Sequence, residues 1–270
     1  MKDKVILITG GSSGIGKALA FCFGQKGSKI VITGRKEDAL IVVSEELTLH
    51  GIPNIYVVAD VSVKADNEKV INATLQKFGT IDVLINNAGI SMRGMFADVE
   101  PDVLKTVMDI NYMGMVYATK YALPHIKANK GSIIGISSIA GYRGLPVRTG
   151  YSASKFAMNG FLEALRTELL NDQVHVLTAC PGFTTSNIRV AALDHEGKST
   201  GETVRDEEKM MSAEEVAQLI YHATIKRKRS LVLTFQGKFT VLMNKFLPKL
   251  MDKLVFNILA KEKNSPLKHR

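Results

Sequence analysis

The spacing of Tyr151 and Lys155 could support proton-transfer chemistry. Both lie in residues 150–157 (GYSASKFA), which open an apolar, helix-like stretch, and residues four apart on a helix share one face. A free phenol has a pKa of about 10 and is a poor acid or base near neutrality, but a neighbouring ammonium favours the phenolate and lowers that pKa. Two fixed positions are a weak motif, however, and an isolated pair of this kind is more often part of a solvated surface.

The elements that must position this pair follow from the pattern of apolar residues along the chain. Strand-like and helix-like runs alternate, and several strands are apolar throughout, as expected when helices cover both faces of a parallel sheet. This alternation predicts an α/β, doubly wound fold with a mostly parallel, seven-stranded sheet. The predicted strands lie near residues 5–9, 29–33, 54–59, 83–86, 132–137, 175–179 and 230–233. The predicted helices lie near residues 15–26, 37–50, 64–78, 101–127, 151–170 and 213–225.

The basic charge of the chain is concentrated at its C-terminal end. The net charge is +9, whereas residues 226–270 hold twelve Lys or Arg and two acids and so carry +10, which leaves about −1 for the rest. A nearly neutral body argues against nucleic acid as a partner. The simplest partition is a nucleotide-binding and catalytic domain over residues 1–237 and a basic, amphipathic extension over residues 238–270.

Cysteine usage and hydropathy indicate the compartment. Cys22 and Cys180 are far apart and show no CxxC spacing, so we expect neither a disulfide framework nor a metal site, and a reducing environment. We expect no secretory signal at the N-terminus, and no apolar run reaches the ~18 residues of a membrane-spanning helix. These features predict a cytoplasmic protein, with peripheral attachment to the inner face of a membrane as an option.

The glycine-rich segment ITGGSSGIG, residues 8–16, follows the first predicted strand and opens the first predicted helix. Glycines let the backbone approach a pyrophosphate, and the helix N-terminus offers it free N–H groups and partial positive charge. An ordinary Gly/Ser turn is the alternative, but this position favours nucleotide binding. The predicted contacts are Gly10, Ser12, Ser13, Gly14, Ile15 and Gly16.

The end of the second predicted strand indicates which nicotinamide nucleotide is preferred. A carboxylate there would bond a ribose 2′-hydroxyl, but Gly34 stands in its place and is followed by Arg35 and Lys36. Two cations suit a 2′-phosphate, so we expect NADP(H), with NAD(H) as the alternative. Arg35 and Lys36 could instead be a simple exposed start of a helix.

Further motifs follow in a fixed order. NNAG ends the fourth predicted strand, Asn111 lies in the long fourth helix, Ser138 stands thirteen residues before Tyr151, and Pro181–Gly182 follows the sixth strand. With TGxxxGxG and YxxxK, this series resembles the short-chain dehydrogenase/reductase family over residues 4–233 and implies a Rossmann fold. The surface interpretation of the Tyr151–Lys155 pair then loses its weight.

The resemblance implies an NAD(P)-dependent oxidoreductase acting on CH–OH and C=O groups. Tyr151 would give its proton to the oxygen of a carbonyl that receives hydride, and Ser138 would donate a hydrogen bond to that oxygen. Lys155, beside the positive nicotinamide, would lower the pKa of Tyr151 and bind the nicotinamide ribose. Asn111 would hold a water that passes protons towards Lys155. Strand alternation allows only one of Ser137 and Ser138 to face the tyrosine, and the family spacing selects Ser138.

The same resemblance assigns the remaining cofactor contacts and an assembly state. Asp60 and Val61 would flank the adenine. The adenine ribose would lie against Asn87, Ala88 and Gly89, and the nicotinamide end against Pro181, Gly182 and Thr184. Family members often form dimers or tetramers through the helices that carry Asn111 and Tyr151, so we expect a homo-oligomer.

The expected substrate pocket is apolar. Its predicted walls are Ile90, Met92, Ile139, Leu145, Phe183 and Ile188, and residues 184–211 would form a mobile lid. The sequence places no arginine clearly enough to bind a carboxylate, although Arg93, Arg143 and Arg148 are candidates. Within the family the chain looks most like hydroxysteroid dehydrogenases and 3-ketodihydrosphingosine reductase, which indicates a lipophilic ketone and a role in lipid metabolism.

The C-terminal extension carries an apolar stripe and basic residues. The stripe consists of Phe239, Leu242, Met243, Phe246, Leu250, Leu254 and Ile258. Lys245, Lys249 and Asp252 lie opposite, and Pro248 is expected to kink the helix. Three interpretations stay open: packing on the body or a second subunit, binding to an anionic membrane interface, and disorder.

Two other functions fit parts of the sequence. A soluble 3-oxoacyl-thioester reductase of fatty-acid synthesis would need a basic patch near the pocket for its acidic carrier, whereas the basic excess lies in the extension. A nucleotide-sensing protein without turnover would not need Ser138, Tyr151 and Lys155.

Overall fold

The structure, a computed structural model, describes residues 1–182, 184, 188–201, 210–262 and 264–269. Its centre is one seven-stranded sheet in the order β3-β2-β1-β4-β5-β6-β7, and every strand pairing in it is parallel. The doubly wound α/β fold expected from the sequence is therefore confirmed. The strands are β1 Val5–Thr9, β2 Lys29–Gly34, β3 Asn54–Val58, β4 Val83–Asn86, β5 Ser132–Ile136, β6 His175–Cys180 and β7 Ser230–Val232.

Nine α-helices in the described ranges cover the two faces of the sheet and extend from its C-terminal end. They are α1 Gly14–Gly24, α2 Glu37–Leu49, α3 Lys64–Phe78, α4 Pro101–Met108, α5 Gly114–Ala128, α6 Thr149–Glu168, α7 Ala213–Ile225, α8 Phe235–Phe246 and α9 Pro248–Ala260. Local signals set several ends. Ser212 and Glu215 form a capping box at the start of α7, and Gly79 ends α3 in the left-handed region at φ 77°.

Strand alternation sends the side chains of β1 into two separate cores. Ile6 and Ile8 join the cluster formed with α1, α2 and α7. Val5 and Leu7 point to the other face and join the cluster formed with α3, α5 and α6. Because both faces of β1 are buried, the strand is apolar throughout, as its sequence indicated.

The order of the strands reverses beside β1. The chain leaves β1 towards β2 on one side and later returns to β4 on the other. At such a switch point the loops that follow the two strands separate and open a crevice at the carboxyl edge of the sheet. The glycine-rich segment after β1 and the NNAG segment after β4 lie at this crevice.

The single helix predicted over residues 101–127 is wrong in one respect. The structure has α4, a π-helical turn over Asp109–Met113, and then α5. A π turn adds one residue to the helical path and is common at functional sites. Here it contains Asn111, which is 1% exposed and bonded on both sides of its amide.

The C-terminal extension is helical and packs on the body. Leu247 separates α8 from α9, and Pro248 occupies the first turn of α9, where its missing N–H costs nothing. Met251, Val255 and Leu259 are buried in a cluster with Val147. These are not the residues of the apolar stripe predicted from the sequence. Most residues of that stripe are exposed: Phe239, Leu242, Phe246, Leu250, Leu254 and Ile258.

The predicted boundary at residue 237 falls inside helix α8. Because α8 starts at Phe235, residue 237 lies in its first turn, and Gly237 packs against Ile139 of the body. The partition at that residue stays a prediction. Among the helices that the structure describes, none combines the length and the apolarity that a bilayer-spanning segment needs.

Candidate active site

The glycine-rich loop is shaped by two glycines with positive φ, one close backbone approach and a helix start. Gly10 and Gly14 have φ values of 66° and 51°, in the region that favours glycine. A Cβ on Gly16 would lie 2.1 Å from the carbonyl oxygen of Gly10, so no larger residue fits there. Ser13 precedes α1 in an extended conformation, and within the described residues its side chain makes no capping bond. The first N–H groups of α1 therefore remain available to an anion.

Thr9 and Asn87 join the two sides of the crevice. Asn87 Nδ2 donates to the carbonyl oxygens of Thr9 and Gly10, both at 3.0 Å. In return, Thr9 Oγ1 accepts from the backbone N–H groups of Asn87 and Ala88 at 3.1 and 3.0 Å. These four bonds fix the loop after β4 against the glycine-rich loop, so Asn87, Ala88 and Gly10 lie together.

Ser138, Tyr151 and Lys155 converge beside this crevice. Ser138 follows β5 and its Oγ accepts from Ala140 N at 3.1 Å. Tyr151 lies in the first turn of α6, and the Ser138 hydroxyl hydrogen-bonds to its oxygen and lowers its pKa. Lys155 is 3% exposed, and its Nζ lies 5.7 Å from the Tyr151 ring centre. The three residues that the sequence grouped are therefore brought together.

The expected pKa of Tyr151 is not produced by the protein's own groups. Desolvation on burial raises the pKa of Tyr151, and this effect outweighs Ser138 and the positive charge of Arg148, which lower it. Lys155 is not among the groups that lower it. Lys155 Nζ turns towards Ile136 and donates to its carbonyl oxygen at 2.9 Å. The predicted lowering of the Tyr151 pKa by Lys155 together with the oxidised nicotinamide stays a prediction.

Lys155 itself is strongly perturbed. Desolvation by burial lowers its pKa to about 8. Besides the Ile136 carbonyl, Nζ contacts Met158 Sδ at 3.4 Å, and both contacts are uncharged. The ammonium is thus held in the interior without a carboxylate in contact among the described residues, which prepares it to release or accept a proton near neutral pH.

Asn111 is fixed by three hydrogen bonds. Its Oδ1 accepts from Ile90 N at 2.8 Å, and its Nδ2 donates to Ile90 O and to Ser154 Oγ, both at 2.9 Å. Both amide hydrogens are therefore used within the protein, and one lone pair of Oδ1 remains. A Cβ on Gly89 would lie 3.0 Å from Oδ1 and 3.7 Å from Lys155 Nζ, so Gly89 keeps the space between them narrow.

The residues predicted to bind the adenine end of the cofactor make fewer contacts with one another than those at the glycine-rich loop. Asp60 Oδ1 accepts from Ser62 N and Oγ, while its other oxygen lies 3.9 Å from Arg35 Nη1. Arg35 and Lys36 are both exposed, and Val61 is buried against Gly114. A Cβ on Gly34 would meet Ser12 Oγ no closer than 3.5 Å. A side chain at position 34 would therefore fit beside the glycine-rich loop.

The segment after β6 is described only in part. Pro181 and Thr184 are buried, Thr184 Oγ1 donates to Gly182 O at 3.3 Å, and Gly182 lies against Thr234 at the start of α8. Of the predicted pocket walls, Ile90 and Met92 are buried in one cluster against which Tyr151 packs. Phe183 and much of the predicted lid lie outside the described residues.

Sequence reasoning left Thr9, Ser154 and Ser137 out of the site. Thr9 could have been found because it directly precedes the first glycine of the loop. Ser154 is fully buried between Tyr151 and Lys155 and donates to Tyr151 O at 2.8 Å. Ser137 is buried and donates to Lys155 O at 3.4 Å. A buried small polar residue next to a reactive one is the only signal for the last two.

The crevice suits a nicotinamide dinucleotide. The narrow Gly10–Gly16 contact, the uncapped start of α1 and the loop held by Asn87 leave backbone donors facing the position of a pyrophosphate. Lys155 Nζ would lie 3.7 Å from a Cβ on Gly89, so Lys155 and the adjacent Tyr151 border the loop after β4, where a reactive ring could meet a substrate. Such a sheet, crevice and tyrosine–lysine–serine group define a nicotinamide-dependent oxidoreductase.

Comparison with known proteins agrees with this class, and the chain belongs to the short-chain dehydrogenase/reductase family. The family model for short chain dehydrogenases matches residues 4–197. "Dehydrogenase/reductase SDR family member 7B" of Mus musculus is 35% identical over 98% of this chain and 84% of its own length. "11-beta-hydroxysteroid dehydrogenase-like 4A" of Arabidopsis thaliana is 42% identical over 68% of this chain and 62% of its own length.

A solved structure shows the same architecture. A short-chain dehydrogenase/reductase from Burkholderia phymatum in complex with NAD superimposes with a TM-score of 0.82 at 26% identity, covering 92% of this chain and 95% of that one. An alcohol dehydrogenase from Thermococcus sibiricus, complexed with 5-hydroxy-NADP, shares the fold at 24% identity and a TM-score of 0.74, covering 86% and 96%.

The lowered pKa of Lys155 predicts a particular pH dependence of stability. The folded pKa of about 8 lies below the ordinary value of 10.5, so between these pH values the unfolded chain binds more protons and the free energy of unfolding rises with pH. Relative to Lys155→Met, the wild-type protein should gain up to about 3 kcal/mol from pH 8 to pH 10.5, and nothing below pH 7. Urea unfolding of both proteins at each pH measures this difference. A constant difference across the whole range would refute a buried, perturbed ammonium.

Proposed function

We propose that the protein is an NADP(H)-dependent oxidoreductase that interconverts a lipophilic ketone and its secondary alcohol. The observation that carries this proposal is the convergence of Ser138, Tyr151 and Lys155 beside the dinucleotide crevice. A binding protein without turnover has no use for a buried lysine with a lowered pKa next to a tyrosine hydroxyl.

Each of the three residues has a separate task. The bound nicotinamide supplies or takes the hydride and, when oxidised, adds a positive charge. The Tyr151 hydroxyl gives its proton to the carbonyl oxygen during reduction, and Ser138 holds both that oxygen and the hydroxyl in place. Lys155, with a pKa of about 8, restores the proton near neutral pH. Asn111 positions the loop at Ile90 against α6 and keeps one acceptor site open for a water.

Apolar surroundings of Tyr151 support a lipophilic substrate. The tyrosine packs on a cluster that includes Ile90, Met92 and Val107. Leu193, from the segment after β6, packs on the same cluster. A hydrocarbon surface beside the reacting hydroxyl favours substrates that bury apolar area. The name of the Arabidopsis relative, 11-beta-hydroxysteroid dehydrogenase-like 4A, agrees with this class of compound.

Residues at the end of β2 support NADP(H). Position 34 has room for a side chain but carries none, so no carboxylate there repels a 2′-phosphate. Arg35 is exposed and only loosely paired with Asp60 at 3.9 Å, which leaves its guanidinium able to bind a phosphate. Lys36 adds a second exposed cation at the start of α2.

The exposed face of α8 and α9 supports attachment to an anionic membrane surface. Six apolar residues of the predicted stripe are each 39–66% exposed, and together we call them the outer face: Phe239, Leu242, Phe246, Leu250, Leu254 and Ile258. Exposed Lys238, Lys245, Lys249 and Lys253 accompany it. Apolar side chains flanked by ammonium groups match the acyl boundary and the phosphate layer of an anionic bilayer. Because the extension docks on the body through Met251, Val255 and Leu259, its outer face is free for this contact.

We also propose a homo-oligomer. Phe156 on α6 is 47% exposed although its neighbours Lys155 and Ser154 are buried, so the helix presents an apolar residue to its surroundings. Such a position fits the pairing of helices between subunits that the family favours. The extension over residues 238–270 stays the proposed membrane-binding part of the chain.

Replacement of Tyr151 by Phe tests the proposed chemistry. The variant keeps the ring and loses the proton donor, so turnover of ketones should fall at least 10³-fold while NADPH binding changes little. Absorbance at 340 nm with a panel of steroid and long-chain ketones measures turnover, and the change in NADPH fluorescence on titration with protein measures binding. Tyr142→Phe, with a tyrosine outside the proposed chemistry, is the matched control. Activity retained in Tyr151→Phe would refute the mechanism.

Replacement of Arg35 by Ser tests the nucleotide preference. Loss of a charge-assisted contact to the 2′-phosphate should raise KM for NADPH about 10- to 100-fold and leave KM for NADH nearly unchanged. Steady-state kinetics with both nucleotides measure the ratio, and Arg166→Ser, at a site on α6 that binds the β6 backbone, serves as the control for a lost arginine. Equal effects on both nucleotides would mean that Arg35 does not read the phosphate.

A double substitution tests the outer face. Phe246→Ser with Leu250→Ser should reduce flotation with vesicles of 70% phosphatidylcholine and 30% phosphatidylglycerol at least tenfold, because two exposed apolar side chains no longer enter the bilayer. Val42→Ser with Leu49→Ser, on α2, is the matched control for exposed apolar residues elsewhere. Flotation unchanged by the first pair, or lost equally with the second, would rule out the outer face as the membrane contact.

A further inference from the structure

Three arginines from separate parts of the chain line one cavity beside the proposed active site. The cavity has a volume of about 60 Å³, and its lining includes Arg93, Arg148 and Arg189 together with Ser91 and Thr200. One water needs roughly 10–15 Å³ in this measure, so the cavity has room for a carboxylate or a phosphate group. Of the described residues that line it, three are cations and none is an acid.

Neighbouring contacts hold these guanidinium groups in place. Arg148 Nη2 donates to Glu262 Oε2 at 2.9 Å, Arg93 Nη2 to Asn264 O at 3.0 Å, and Arg189 Nη1 to Thr184 O at 3.0 Å. Arg148 Nη1 is buried and has no hydrogen-bond partner within the described ranges. A buried guanidinium N–H needs an acceptor, and an oxyanion in the cavity would supply one.

The cavity lies next to the reacting group. Arg148 immediately precedes α6, three residues before Tyr151, and its charge acts on the tyrosine hydroxyl. Met92 lines the cavity and also belongs to the apolar cluster against which Tyr151 packs. Tyr151 thus has the apolar cluster on one side and the cavity lined by the three arginines nearby.

We propose that this cavity binds an anionic group of the substrate, a carboxylate or phosphate ester close to the reacting carbonyl. The substrate is then an amphiphilic keto compound, with its apolar part against the Met92 cluster and its charged group on Arg93, Arg148 and Arg189. Guanidinium groups suit this task because they present paired donors that match the oxygens of carboxylates and phosphates. This inference rests on the proposed function and narrows its substrate class.

A matched pair of substrates tests the proposal. The full-length protein with saturating NADPH is given a γ-keto fatty acid and its methyl ester, and kcat/KM is measured for each at 340 nm. The wild-type protein should prefer the acid at least tenfold, and Arg189→Gln and Arg93→Gln should each lower this preference about 10- to 100-fold with little change for the ester. Arg148→Lys, which keeps the charge next to Glu262, should lower it less.

The matched control is Arg143→Gln. Arg143 also binds the C-terminal extension, through Asp252 at 2.6 Å and Asn244 at 2.9 Å, but does not line the cavity. It should keep the preference for the acid, and circular dichroism confirms that each variant is folded. Loss of the preference in Arg143→Gln to the same extent would overturn the proposal, because a loosened extension would then explain all the effects.

A binding measurement separates this inference from the proposed function. Inorganic phosphate, added with NADPH at saturation so that the pyrophosphate site is filled, should raise Tm of the wild-type protein and not of Arg189→Gln. Turnover of the ester without preference for the acid would overturn the inference and keep the proposed function. If phosphate still raised Tm in that case, the cavity would bind a free anion and not the substrate. If neither compound reacted, the proposed function would fail, and the phosphate titration alone would support or overturn an anion site.

Discussion

Burial of the Lys155 ammonium is the constraint on which the site depends. The side chain is 3% exposed, and Nζ contacts a backbone carbonyl and a thioether. Desolvation lowers the pKa of Lys155 to about 8, so the charged form is unfavourable in the folded protein at neutral pH. The structure maintains this position through regular elements, the end of β5 and the second turn of α6. Ile136 receives the ammonium bond, and of the two serines that follow it Ser137 donates to the Lys155 backbone while Ser138 bonds the Tyr151 hydroxyl. The reactive group is therefore located by the sheet rather than by a loop.

The second requirement is that two loops far apart in the sequence meet. Thr9 and Asn87 achieve this with four hydrogen bonds across the reversal of strand order, where a parallel sheet leaves room for a ligand. Because these bonds use backbone groups of Gly10 and Ala88, the glycine-rich loop cannot move independently of the loop after β4. Asn111 extends the connection by tying Ile90 to α6. The crevice and the reactive residues thus form one connected hydrogen-bonded unit.

Much of this arrangement could be predicted from sequence, and the part that could not has physical reasons. Strand ends such as Val5–Thr9 and Val83–Asn86 were recovered because apolar runs stop at glycine or asparagine. The π turn at Asn111 was missed because it depends on the three bonds of a buried amide, which leave no periodic signal. The rise in the Tyr151 pKa within the protein alone could not be read from the sequence, because desolvation depends on the packed environment and not on the i, i+4 spacing. Likewise, an amphipathic pattern showed that residues 238–260 are helical but did not show which side docks, since both Val255 and Leu254 are apolar.

The C-terminal helices rest directly on the segment that joins Ser138 to Tyr151. Gly237 contacts Ile139, Asn244 Nδ2 donates to Tyr142 O at 3.0 Å, and Arg143 pairs with Asp252. A hinged opening of that segment must therefore break contacts with α8 and α9. The two equilibria are coupled, and the coupling is reciprocal. A ligand that stabilises the docked helices lowers the population of the open segment. A ligand that binds the open segment lowers the population of the docked helices by the same factor. Opening of this segment and undocking of α8 and α9 are then two readouts of a single equilibrium.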